Sequence, residues 1–236
     1  MRHIVKQTEH PDFQYWKAQQ KANAPQNFNF GALTTEVKVK IVKQMLEEQG
    51  YLCAYTLLRI QDEHSCHIEH VQAQSTHPQF DLDSSNMLAC VPSGKAGTPA
   101  LGYGATYRGT QSVESPTIQN IESRLSYDVF GKINAKNSLD LAIKATIDAL
   151  NLNQDDLVRL RQRAIETQGL GAQNSRTRLS RPRLNHLEAR RLANSILQPN
   201  KQGKLTPFCI AIAQVALAYA DRYESRRKNI QANQKH

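Results

Sequence analysis

Two histidines and a carboxylate stand close together in the first third of the chain, and an asparagine-containing segment follows them. The first group is Cys66-His67-Ile68-Glu69-His70, and the second is Asn86-Met87-Leu88-Ala89-Cys90. A histidine near neutral pH can accept a proton from water. A carboxylate beside it can hold a divalent metal that stabilises charge on a phosphate and on a leaving oxygen. Residues of these types in this order favour hydrolysis of a phosphodiester.

The histidine spacing alone is weak evidence, because a His-x-x-His pattern also occurs by chance. It becomes more specific together with Cys53-Ala54-Tyr55 before it and the Asn86–Cys90 segment after it. Adjacent side chains on a strand face opposite sides. Glu69 and His70 can therefore serve one site only where the strand ends or bends. On a regular strand His67 points away from His70, which favours a supporting role.

The segments around these residues predict an α+β fold that is mostly helical. Apolar residues at helical spacing follow a Thr34 cap and end at Gly50, while Cys66–Val71 has the character of an extended piece. Residues 51–60 favour a strand or a tight hairpin. Further helices are expected near 138–150, 154–165, 185–198 and 205–224. We divide the chain into an N-terminal arm and helix (1–50), a small core (51–131), a helical region (132–225) and a disordered basic tail (226–236).

The composition bounds the class of protein. The chain has 236 residues, 39% of them hydrophobic, and a formal net charge of +9. That charge favours nucleic acid as a partner; the alternative is a basic surface kept for solubility or for docking an acidic protein. No run of about 18 apolar residues is present, and the N-terminus lacks the apolar stretch of a signal peptide. We therefore expect a cytoplasmic protein with no membrane partner.

Several short motifs, taken in order, resemble the HNH endonuclease-like effector proteins of the Septu and retron anti-phage systems. The resemblance covers much of the chain and is carried by Leu52-Cys53-Ala54-Tyr55, His67-Ile68-Glu69-His70, Asn86-Met87-Leu88-Ala89-Cys90 and Tyr127-Asp128-Val129-Phe130-Gly131-Lys132-Ile133. It implies a small ββα-metal core flanked by an N-terminal helical arm and a C-terminal helical region. It also implies an antiviral nuclease that works with an ABC-like ATPase. In retrons, a reverse transcriptase and its RNA–DNA hybrid would hold this effector in check.

The resemblance also assigns roles to the candidate residues. His70 is the expected general base, and Asn86 is the expected brace of the loop that orients it. Glu69, with His70 beside it, is the expected metal site. Mg²⁺, with Mn²⁺ as an alternative, suits a carboxylate ligand. The substrate is expected to be DNA or RNA, tRNA included, because these residues do not distinguish the two.

The chain departs from the family pattern at several ligand positions. Thr56 and Tyr103 stand where cysteines are expected, so only Cys53 and Cys90 remain of a zinc set that usually has four members. We therefore do not expect a structural zinc ion. The last His or Asn of the active site is also missing. The polar candidates nearby are Tyr103, Tyr107 and Arg108, of which Arg108 could contact a phosphate but cannot bind a metal.

Arginines crowd residues 159–191, and Arg176 and Arg178 are predicted to contact nucleic-acid phosphates. The alternative is a solvated helix face.

The missing ligands also allow a second hypothesis for the whole protein. It could be a degenerate, non-cleaving subunit that keeps the fold and binds nucleic acid or the partner ATPase.

Overall fold

A computed structural model describes residues 1–170 and 184–233 of the chain. Within these residues the fold is α+β and mostly helical, with two small antiparallel sheets, which confirms the predicted class. The helices are α1 (Pro11–Asn23), α2 (Thr35–Glu48), α3 (Ala105–Arg108), α4 (Ile121–Arg124), α5 (Leu141–Ala149), α6 (Asp155–Glu166), α7 (His186–Ser195) and α8 (Cys209–Asn233). The strands are β1 (His67–His70), β2 (Met87–Cys90), β3 (Leu125–Tyr127) and β4 (Ile133–Ala135). No helix in the described ranges is long and apolar enough to cross a membrane.

The first sheet carries the predicted site residues. Strand β1 pairs with β2 in an antiparallel register that places His67 opposite Cys90 and His70 opposite Met87. All four residues of β2 are fully buried, so this strand belongs to the core. The loop of residues 71–86 joins the two strands and ends in a short 3₁₀ turn, Ser84–Asn86.

A buried glutamine fixes this sheet against helix α2. Gln49 follows the end of α2, and its amide Nε2 donates to the carbonyl oxygens of Leu52 (2.7 Å) and Ala89 (2.9 Å). Its Oε1 accepts from the amide nitrogen of Ala89 at 2.8 Å. Because these bonds satisfy backbone groups that water cannot reach, they lock β2 in place. Residues 51–60 form a tight turn with a single bridge between Leu52 and Arg59, where the sequence predicted a strand or a hairpin.

The second sheet lies across one predicted domain boundary. Strands β3 and β4 form a hairpin in which Tyr127 lies opposite Ile133, so the predicted division between residues 131 and 132 falls inside a turn. The carboxylate of Asp128 accepts from the amides of Phe130 and Lys132, both at 2.9 Å, and closes that turn. A short hairpin was missed because strands of three residues leave little periodicity.

The C-terminal helices form where the spacing of apolar residues predicted them. Helices α7 and α8 pack closely through small residues such as Ala189 and Ala193, both buried. Arg190 of α7 forms ion pairs with Asp221 and Glu224 of α8. Helix α8 continues to Asn233, so the prediction of a disordered tail from residue 226 is wrong for the backbone of residues 226–233.

Candidate active site

His70, the predicted general base, lies at the end of β1 in a largely buried setting. Its Nε2 is 3.0 Å from the carbonyl oxygen of Asp81, and its ring meets the ring of Phe30 edge-on at 4.8 Å between centroids. A carbonyl oxygen can only accept, so in the neutral ring Nε2 carries the hydrogen and Nδ1 keeps its lone pair. Nδ1 makes no hydrogen bond to any residue in the described part of the chain, and can accept a proton.

The surroundings of His70 favour its neutral form. Burial lowers the pKa of the ring below its usual value of 6.5, and this outweighs the opposite effect of the Asp81 carbonyl and of the Asp81 and Glu69 carboxylates. A ring that is neutral at pH 7 is in the state a general base needs.

Asn86 ties the two ends of the loop between β1 and β2. Its Oδ1 accepts from the amide nitrogen of Gln72 at 2.8 Å, and its Nδ2 donates to the carbonyl oxygens of Gln72 (3.1 Å) and Phe80 (3.2 Å). Phe80 immediately precedes Asp81, whose carbonyl holds the His70 ring. The bonds are therefore those expected of a brace that orients His70 through its loop.

Glu69 does not share a site with His70. Strand β1 is regular at this point, so Glu69 lies on the face that carries His67, and His70 lies on the other. Glu69 Oε2 is 3.9 Å from His67 Nε2, whereas His70 contacts Phe30 and Asp81. The geometry therefore does not support the predicted metal ion held by Glu69 with His70 beside it.

His67 is held on both sides of its ring. Its Nδ1 is 2.7 Å from the carbonyl oxygen of Pro92, opposite the contact with Glu69. Burial lowers the pKa of His67, but the Glu69 carboxylate and the hydrogen bond to the Pro92 carbonyl more than compensate, and the net shift of the pKa is upward. This upward shift favours the protonated form of His67, which suits the predicted supporting role better than the role of a base.

Arg108 is one of the most buried side chains, with 2% of its surface exposed. Its Nη2 donates to the carbonyl oxygens of His70 (3.0 Å) and Val71 (2.8 Å), and its Nη1 donates to the Tyr55 hydroxyl at 3.1 Å. Its Nε lies 3.1 Å from Glu69 Oε1. The prediction that Arg108 contacts a phosphate does not fit this position, because a phosphate contact requires an accessible guanidinium group.

A divalent ion at Glu69 does not fit the residues around it. Within residues 1–170 and 184–233, no three His, Cys, Asp or Glu side chains gather as a ligand set. A positive guanidinium group already lies against the Glu69 carboxylate. Because like charges repel strongly in a buried setting, a second cation there would be disfavoured.

The positions matched to zinc ligands are all buried. The Cys53 and Cys90 thiols are fully buried. Burial raises the pKa of Cys90 far above its usual value, so this thiol keeps its proton. The other two positions carry the hydroxyl groups of Thr56 and Tyr103. The four positions therefore offer two sulfur atoms, where structural zinc usually takes four ligands.

A cleft of about 400 Å³ opens beside the loop that holds His70. Lys17 and Lys21 line it together with Phe28 and Asp81. The Asp81 carboxylate is already engaged by the amide of Phe30 at 2.6 Å. Lys21 lies over the Phe28 ring at 4.9 Å and forms no ion pair with another described residue. Lys17 is paired with Glu9 at 2.6 Å, and Asp83 lines the cleft beside Asp81. The cleft thus offers the ammonium group of Lys21 and an aromatic face, next to two carboxylates.

Sequence reasoning missed several residues that shape this site. Phe30 and Asp81 carry no pattern that predicts contact with His70, because both belong to irregular segments. No sequence pattern distinguishes the buried Arg108 from the exposed arginines. Arg176 and Arg178, predicted to contact phosphates, lie outside the described residues.

Comparison of the chain with models of protein families found no match. A search of curated proteins likewise found no significant match.

Proposed function

We propose that this protein is the HNH-type, phosphodiester-cleaving effector subunit of a retron or Septu defence complex. The observation that carries the proposal is the arrangement of His70, whose Nε2 is anchored on the Asp81 carbonyl while Nδ1 is left as the acceptor. Asn86, at the end of the same loop, bonds to Gln72 near its start and to the Phe80 carbonyl beside Asp81. To act as a general base on a water molecule, an imidazole must be unprotonated and fixed in its orientation.

The chemical step then runs as follows. His70 Nδ1 takes a proton from a water molecule as the water oxygen attacks phosphorus. The bond from phosphorus to the leaving oxygen breaks, and that oxygen takes a proton from the imidazolium or from solvent. Only His70 is assigned to the proton transfer.

The fold and the cleft support this proposal in different ways. The order β1, β2, α3 agrees with a small ββα core, although α3 is only four residues long. Lys17 and Lys21 line the cleft next to the His70 loop, and Lys21, which forms no ion pair with a described residue, can contact the phosphates of a strand. The ABC-like ATPase, the reverse transcriptase and its RNA–DNA hybrid are proposed partners on the resemblance of the motifs alone.

A histidine substitution in the assembled complex tests the proposal. His70→Ala should lower the rate of DNA or RNA cleavage by about 10²–10⁴-fold, the usual contribution of a general base. His77→Ala is the matched control, because His77 is exposed and lies in the same loop. Cleavage by His70→Ala at the wild-type rate would contradict the role of His70. Assembly of the complex, measured by size-exclusion chromatography, should be unchanged in both variants.

A second function is favoured by two specific observations. His70 is only 6% exposed, and Arg108 is paired with Glu69. These features suit a non-cleaving subunit that binds nucleic acid or the ATPase. This alternative predicts that the wild-type complex binds nucleic acid but cleaves neither DNA nor RNA, and that phage protection survives His70→Ala.

A further inference from the structure

The negative charge of the Glu69 carboxylate is balanced by a nearby positive charge more than by hydrogen bonds. Glu69 Oε1 is buried and accepts no hydrogen bond from any described residue, although Arg108 Nε is 3.1 Å away. The Nε–H bond of Arg108 does not point at Glu69 Oε1. It donates instead to the carbonyl oxygen of Gly109, which is 3.4 Å from Nε. The guanidinium charge itself is therefore what stabilises this oxygen.

Arg108 is held in place independently of Glu69. Its two terminal nitrogens donate to the Tyr55 hydroxyl and to the carbonyl oxygens of His70 and Val71. Its side chain is 1% exposed, so it cannot swing into solvent without losing these bonds. The positive charge is thus a fixed part of the core beside β1.

We propose that Arg108 is the permanent counter-cation of Glu69 and stands where a divalent metal would bind that carboxylate. One negative and one positive charge leave no net attraction for a second cation, and separating buried partners is unfavourable. Glu69 therefore binds no divalent metal in this chain. The inference concerns metal affinity, so it stands or falls separately from the proposed cleavage.

Mn²⁺ binding to the purified full-length chain tests this inference, with free Mn²⁺ measured by electron paramagnetic resonance. Wild type and Glu69→Gln should bind Mn²⁺ equally weakly. Arg108→Met removes the charge and keeps an unbranched side chain, so it should bind Mn²⁺ at least about tenfold more tightly. The double variant Arg108→Met/Glu69→Gln should lose that gain.

Arg161→Met is the matched control. Arg161 is also 2% exposed and bonds to the carbonyl oxygens of Gly131 and Leu152, but it forms no ion pair with a described carboxylate. It should gain no Mn²⁺ affinity. Tighter binding by wild type than by Glu69→Gln would overturn the inference, and this comparison holds even where Arg108→Met does not fold. A folded Arg108→Met variant without a gain would also overturn it.

Discussion

His70 combines a free acceptor nitrogen with a covered ring. The Phe30 ring packs against the imidazole at 4.8 Å, and burial lowers the His70 pKa. A depressed histidine pKa means that the folded state binds its proton less readily than the unfolded chain does. The contribution of His70 to stability is therefore complete above pH 6.5 and is lost as the pH falls through the lower folded value.

Phe30→Ala should raise the His70 pKa towards 6.5, because water then reaches the ring and the charged form becomes less costly. A pH titration of the His70 ring resonances by NMR measures this shift. Phe28→Ala is the control, since Phe28 lies in the same arm and lines the cleft. An unchanged His70 pKa in Phe30→Ala would show that other groups exclude the water.

Asn86→Ala should lower the free energy of unfolding by about 1–3 kcal/mol, because it removes three hydrogen bonds and leaves loop groups unpaired. Chemical denaturation measures the change. Asn23→Ala removes one exposed hydrogen bond to Gln19 and should change stability by less than about 0.5 kcal/mol. Equal losses in the two variants would contradict the bracing role of Asn86.

At the scale of elements, helix α6 packs directly on the turn between β3 and β4. Gly131 has a φ of +85°, and a β-carbon there would lie 2.4 Å from the Val158 carbonyl oxygen and 2.8 Å from the Gln162 nitrogen. Arg161 of the same helix bonds to the Gly131 carbonyl. The turn needs glycine at residue 131 because of the positive φ and because the α6 backbone leaves no room for a β-carbon.

Gly131→Ala should therefore destabilise the protein more than Gly203→Ala. Both positions have a positive φ, which alone costs alanine about 1–2 kcal/mol. Nothing lies within 4 Å of a β-carbon at Gly203, whereas the one at Gly131 meets backbone. Thermal unfolding of the two variants measures the difference. Equal melting temperatures would mean that α6 moves away at little cost.

At the scale of the whole molecule, the net charge of +9 should govern binding to nucleic acid. Each phosphate contact releases a counterion, so affinity falls steeply with salt. We expect at least about tenfold weaker binding between about 50 mM and about 200 mM salt. Fluorescence anisotropy with a labelled oligonucleotide measures this dependence. An affinity independent of salt would contradict an electrostatic interface.

If the cleft binds a nucleic-acid strand, the double variant Lys17→Gln/Lys21→Gln should reduce the salt dependence of binding. For DNA, the slope of log binding constant against log salt concentration should change by about 2. The control is Lys144→Gln/Lys201→Gln, which removes two exposed lysines outside the cleft. A slope unchanged by the cleft variant would place the interface elsewhere on the surface.

The sequence by itself determined what depends on local order. Apolar spacing and caps predicted helices α2, α5, α6, α7 and α8, because a helix is built from neighbours in the chain. The same reasoning placed an extended piece at Cys66–Val71, where β1 forms, but it did not predict the partner strand β2. The brace role came from the resemblance, and the Asn86 hydrogen bonds agree with it.

Only the tertiary structure decided which charges meet. Regular pairing of β1 with β2 separated Glu69 from His70, packing of α3 brought Arg108 against Glu69, and the N-terminal arm laid Phe30 on His70. The physical reason is that burial and charge compensation depend on residues far apart in the chain. Sequence patterns report which groups could form a site, whereas packing decides which of them share one.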